Sequence, residues 1–172
     1  MRLSQPRWPH FLPRRWVVAS ATLGPVGRRL PAPGTWGSLL GLLYFSVFFQ
    51  RAGTGAVMVA TAIGAYLAVG LCGEAERYLK KKDPGEIILD EFIAIPLCFL
   101  GWHSWLRLAP PWVLLLAGFG LFRFYDIIKP FGIARLQSLP DGWGVVVDDL
   151  AAALAACATL HVCAWLVSRG GV

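Results

Sequence analysis

Five stretches of this chain contain no charged side chain: Pro31–Gln50, Ala52–Gly73, Phe92–Leu106, Leu108–Phe122 and Leu150–Ser168. They run to 20, 22, 15, 15 and 19 residues. At ~1.5 Å per helical residue, the first, second and last each reach about as far as a hydrocarbon core of roughly 30 Å. The two 15-residue stretches span only ~22 Å, so they must tilt, thin the bilayer or run on past their charged ends. A tight pair turning at Leu108-Ala109-Pro110-Pro111 meets that demand; a buried helical hairpin in a soluble protein would give the same pattern. Composition favours the membrane. Only 15% of residues are charged, 56% are hydrophobic and mean hydropathy is +0.58, whereas about a quarter of an average soluble domain is charged. The expected fold class is all-α: a polytopic membrane helical bundle of about five short spans. The length of 172 residues suits one domain. Residues 1–30 read as a basic lead-in, and 31–172 as a single membrane-embedded domain.

The charges are sorted by side. With five spans, the loops 1–35, 73–90 and 123–148 face one way and hold 13 of the 16 Lys and Arg residues. Arg51, Arg107 and Arg169 face the other. The excess of Lys and Arg makes the first side cytoplasmic. All ten acidic residues also fall on or near that face. The net charge of +6 fits an anionic membrane surface or anionic substrate better than nucleic acid, because the basic residues are not spread over an otherwise polar surface. Trp16–Val18 is too short an apolar core for a signal peptide ending at Ala19-Ser20-Ala21.

Several residues read as structural. Cys72, Cys98, Cys157 and Cys163 form no C-x-x-C pair and sit in apolar runs, as buried small residues do. His10, His103 and His161 are isolated. Thr35 is placed to cap a helix after Pro33-Gly34. Asp83-Pro84-Gly85-Glu86 has the form of a capping box. Asp141-Gly142 reads as a turn, and Glu74 and Glu76 as solvated surface.

The remaining acids gather at helix mouths. Asp90 and Glu91 open the third span, and Asp148 and Asp149 the fifth. Asp126 closes the fourth, with Arg123 three residues earlier on the same face. Carboxylates are favourable at helix N-termini. That accounts neither for two adjacent pairs nor for Asp126, which meets an unfavourable dipole at a C-terminus. Converging carboxylates repel unless a cation lies among them. Oxygen donors with no nearby His or Cys point to Mg²⁺. Mg²⁺ keeps company with phosphate oxygens, and Arg123 and Lys129 supply cations to hold a phosphate. Pro33-Gly34-Thr35-Trp36-Gly37-Ser38 lies on the same side, where its glycines would let backbone N–H groups approach an anion.

Four motifs, PAPGTWGSL (Pro31–Leu39), LDEF (Leu89–Phe92), FRFYDIIKP (Phe122–Pro130) and GWGVVVDDLAAA (Gly142–Ala153), resemble those of phosphatidylglycerophosphatase A. They occur in that family's order over most of residues 19–155. Trp143 stands where the family usually shows a glycine pair. The resemblance implies a bacterial inner-membrane enzyme with its site facing the cytoplasm. Its Mg²⁺-dependent reaction would remove the terminal phosphate of phosphatidylglycerophosphate. It also implies Asp90, Glu91, Asp126, Asp148 and Asp149 as the acidic, metal-binding set. Asp90, Asp126, Lys129 and Asp149 would be catalytic, and Arg123, Lys129 and Thr35 would bind phosphate.

The expected mechanism is in-line attack by water, with one Asp as general base. A CDP-alcohol phosphotransferase would need a D-G-x2-A-R signature, which is absent. A carrier or scaffold is the non-enzymatic rival, but a carrier's ionisable residues belong near the bilayer midplane. Oligomeric state is left open.

Overall fold

The computed structural model describes residues 4–170. Among them there are helices and turns but no strand. The helices are α1 (Arg14–Ala21), α2 (Pro25–Arg29), α3 (Pro33–Phe48), α4 (Thr54–Leu79), α5 (Leu89–Ala94), α6 (Trp102–Trp105), α7 (Pro111–Ile128), α8 (Ile133–Leu136) and α9 (Gly142–Gly170). Single 3-10 turns cover Trp8–Phe11 and Ile95–Phe99. The chain is all-helical, as expected, and α4, α7 and α9 are long and apolar enough to cross a membrane.

The expected span Phe92–Leu106 is not one helix. Pro96 lacks the N–H that an α-helix needs, and the backbone tightens to 3-10 there. Gly101, at φ +86°, then turns the chain into α6. Other helices run past their apolar cores. α4 continues through Glu74 to Leu79. α9 begins at Gly142, so Asp148 and Asp149 lie in its second turn rather than at its start. Its 29 residues extend roughly 43 Å, more than a bilayer core, which leaves room for an overhang at the acidic end.

α7 ends where the sequence forces it to. Lys129 adopts the left-handed conformation (φ +48°), its N–H bonds the Tyr125 carbonyl at 2.8 Å, and Pro130 cannot continue the helix.

Two apolar clusters hold the helices together. In one, the Phe45 and Phe99 rings stack at 4.4 Å with Trp102 edge-on to both. The fully buried Ala152, Ala153 and Ala156 give α9 a smooth face toward them. The other joins Val17 and Ala21 of α1, Ala68, Val69 and Cys72 of α4, and Val145 and Val146 of α9, with α4 packed against both of its neighbours.

Four local expectations are corrected. No helix starts at Pro84. Asp83 is left-handed (φ +45°), and Ile88 donates to the Ala21 carbonyl at 3.0 Å, so α5 waits until Leu89. Thr35 lies inside α3, which starts at Pro33 behind a left-handed Ala32. Glu74 is buried and pairs with His10 at 2.9 Å, because the N-terminal segment folds over it. Cys163 is exposed, unlike the other three cysteines, as it lies on the outer side of the last turns of α9.

Candidate active site

One cavity of about 320 Å³ collects all eight residues singled out from the sequence: Thr35, Asp90, Glu91, Arg123, Asp126, Lys129, Asp148 and Asp149. Their convergence follows from helix ends. α3 starts at its wall, α5 starts beneath it, α7 ends beside it, and α9 passes with its second turn. Residues far apart in sequence thus meet at one mouth.

The acids divide into two groups. Oxygens of Asp90, Glu91 and Asp149 all lie within 4.8 Å of one another. Asp90 and Asp149 are buried and Glu91 nearly so. Asp90 Oδ1 and Glu91 Oε2 have no hydrogen-bond partner, a costly state for buried oxygens. Burial pushes the Asp90 carboxyl well above the usual carboxylate range, and the neighbouring Glu91 charge adds to it. Burial also pushes Glu91 up to about 7, with the Asp126 charge contributing. Three adjacent acids, two of them with an unpartnered oxygen, make an all-oxygen donor set that fits a hard divalent cation such as Mg²⁺.

Asp126 and Asp148 instead hold the cations. Arg123 Nη1 donates to Asp126 Oδ2 at 2.7 Å and lies 3.8 Å from Glu91 Oε1. Lys129 donates to Asp148 Oδ2 and sits 3.9 Å from Asp126 Oδ1. Burial pulls the Lys129 ammonium pKa down, but the Asp148 hydrogen bond and the surrounding carboxylates more than offset this, so its pKa is raised. The left-handed turn at Lys129 lets its side chain bridge the end of α7 and α9.

Three features escaped the sequence reading. A Cβ on Gly34 would collide with Glu91 Oε1, and one on Gly37 would lie 2.9 Å from the Ile88 carbonyl oxygen. These glycines let α3 cross α5 closely. Their small size, not only an anion-facing backbone, is what the structure uses. The buried Ser38 lies 3.4 Å from Arg123 Nη1 while its hydroxyl donates to the Gly34 carbonyl. Asp83 also lines the cavity, held by Gln137 at 3.2 Å. The sequence reads Asp83 as a helix cap, so nothing in it pointed to the cavity.

Helices that bring cations and unpartnered carboxylates to one cavity suit an enzyme acting on phosphate esters, and the chain's relatives make it a phosphatase. The sequence profile of Phosphatidylglycerophosphatase A matches residues 19–164, and the chain belongs to that family. It is 35% identical over 125 residues to a phosphatidylglycerophosphatase A of Haemophilus influenzae, covering 72% of this chain and 74% of the relative. It is 32% identical over 135 residues to a phosphatidylglycerophosphatase A of Escherichia coli, covering 75% and 72%. A Bacteroides thetaiotaomicron protein, provisionally named a phosphatidylinositol-3-phosphatase, is 25% identical over 168 residues, covering 92% and 98%. No solved structure matches the chain.

Proposed function

We propose that this chain is a Mg²⁺-dependent phosphatidylglycerophosphatase of the bacterial inner membrane, with its cavity opening to the cytoplasm. The observation that carries the reading is the Asp90–Glu91–Asp149 cluster beside Arg123 and Lys129 in one cavity. The family and two relatives supply the substrate. α3 and the broken stretch from Phe92 to Leu106 return the chain across the bilayer between the three long helices, making five crossings. The concentration of Lys and Arg on the cavity side supports the cytoplasmic orientation.

Asp90, Glu91 and Asp149 would hold the ion. When bound, Mg²⁺ supplies positive charge against the phosphate oxygens and offsets the repulsion among those three acids. Arg123 presents its remaining N–H groups to the phosphate as a fork, and Lys129 adds a compact charge. Asp126 aligns both cations. Its Oδ1 accepts no hydrogen bond, so it is the oxygen that takes the proton of the attacking water. Attack proceeds in line: the water oxygen bonds to phosphorus as the bond to the glycerol oxygen breaks. Lys129 faces the departing alkoxide, which is more basic than an amine and can take its proton. Thr35 closes the cavity wall toward the phosphate. The acyl chains stay in the bilayer while the head group reaches the mouth.

The test is phosphate release by purified protein in detergent, with Mg²⁺ and with excess chelator. Phosphatidylglycerophosphate and phosphatidylinositol 3-phosphate are compared. Mg²⁺-dependent release, faster from phosphatidylglycerophosphate, is expected. Equal release in chelator would remove the metal from the reading, and preference for the inositol lipid would reassign the substrate.

A further inference from the structure

A second cavity is larger than the acidic one. A groove of about 930 Å³ lies between α1, α2 and the C-terminal end of α4. Arg14, Arg15, Arg28 and Arg29 line it, with Val18 and Leu79 among its apolar walls and no carboxylate among its lining residues. Arg14 donates to the Tyr78 carbonyl at 3.0 Å. Arg28 is 3.8 Å from Glu86. Among the described residues, Arg15 and Arg29 have no anionic partner.

Four arginines around one hollow repel one another, so the arrangement calls for an anion from outside. The scaffold beneath them is fixed. Val17 and Ala21 are wholly buried against α4. Thr22 bonds the Val18 and Gly24 carbonyls at 2.9 and 3.0 Å. Gly27 packs against the Glu86 carbonyl with no room for a side chain. The backbone that carries the arginines is therefore in place before any ligand arrives. Phe11 and Trp16, neighbours of the groove in sequence, are 88% and 60% exposed, which a membrane interface explains and a soluble anion does not. A purely basic stripe would suit nucleic acid, but apolar walls beside guanidinium groups suit an amphiphile.

We propose that this groove is a second lipid site, separate from the catalytic cavity, that binds the phosphate head group of an anionic phospholipid of the surrounding leaflet. Arg15 and Arg29 are its free donors, and Val18 and Leu79 receive the apolar part next to the head group. It depends on the membrane placement proposed above but not on the reaction.

The experiment is native mass spectrometry of the full chain, released from detergent with dioleoyl phosphatidylglycerol or dioleoyl phosphatidylcholine added. It is done in an Arg123→Ala background, which weakens the catalytic cavity's hold on phosphate, so that the arginine-pair comparison reads the groove. One phosphatidylglycerol adduct is expected to persist, with no matching phosphatidylcholine adduct. The Arg15→Gln/Arg29→Gln pair is expected to weaken it about tenfold, as removing two cations from an anionic lipid site does. With Arg123 intact, that pair leaves turnover in detergent unchanged. Lys80→Gln/Lys82→Gln removes the same charge elsewhere on this side and is expected to leave the adduct in place. Equal retention by the arginine pair, equal loss from the lysine pair, or displacement of the lipid by millimolar inorganic phosphate would each overturn the proposal. Turnover of the unaltered chain reads the catalytic reading separately, so the two fail by different measurements.

Discussion

Replacing Glu91 by Gln is expected to stabilise the protein in chelator at pH 8 while destroying its turnover. The Glu91 carboxyl is nearly buried, and its pKa rises from 4.5 to about 7. Between those values the folded state holds a proton that the unfolded state has released. Stability therefore falls as pH rises from 4.5 through 7 and stays reduced above. At ~1.4 kcal/mol per pH unit, ionising Glu91 costs about 3 kcal/mol of stability at pH 8 and almost none at pH 4.5. Gln has the same shape and no charge, so it removes that cost. The assay is thermal or denaturant unfolding in detergent with chelator, from pH 4.5 to 8, for both proteins. The wild-type midpoint should fall with pH and the Gln variant should stay flatter, crossing above it near neutrality. Adding Mg²⁺ at pH 8 should rescue the wild type and not the variant. A wild-type midpoint that does not fall with pH, or a variant less stable at pH 8 by as much as at pH 4.5, would refute the reasoning.

Asp126→Asn is expected to lower turnover by roughly 10²–10⁴-fold, the range for losing a general base, while the protein stays folded; phosphate release and gel filtration check both halves. Lys129→Met leaves Asp148 buried without its cation and is expected to cost about 3 kcal/mol, read as a lowered unfolding midpoint at pH 7. Gly34→Ala drives a methyl group into Glu91 Oε1 and is expected to destabilise by about 1–3 kcal/mol and to weaken Mg²⁺-dependent turnover. Ala at the exposed Gly120, where nothing lies within 4 Å, is the matched control: it should leave turnover unchanged and stabilise α7 by up to about 1 kcal/mol.

The residues that meet in the candidate site were legible because they are out of place in an apolar chain. Asp126 beside Arg123, and paired acids at Asp90 and Asp148, stand out where charge is rare. What each acid touches was not legible. Asp126 and Asp148 carry the same side chain as Asp149, and only the fold shows that the first two face Arg123 and Lys129 while the third faces Asp90. The helix count blurred where local chemistry overrides hydropathy. Phe92–Leu106 is apolar throughout, but Pro96 and Gly101 break it into pieces. Charge misled in the opposite sense at Glu74. A charged residue reads as surface, and burial became intelligible only once His10 lay against it from 64 residues away in the chain. Gly34 and Gly37 read as anion-facing backbone because close helix crossing leaves no periodic signal of its own.

The second turn of α9 completes the acidic cluster, and synthesis delivers it last. Asp90 and Glu91 leave the ribosome well before Asp149, and domains fold from the N-terminal side as they emerge. Until α9 arrives, the two earlier acids lack the third member of their cluster, and Lys129 lacks Asp148. A chain cut short anywhere before residue 149 therefore has no assembled centre, however well its earlier helices insert. On the proposed reading, assembly of this cluster becomes a checkpoint on completion. An unfinished copy lacks the centre that the proposed reaction needs.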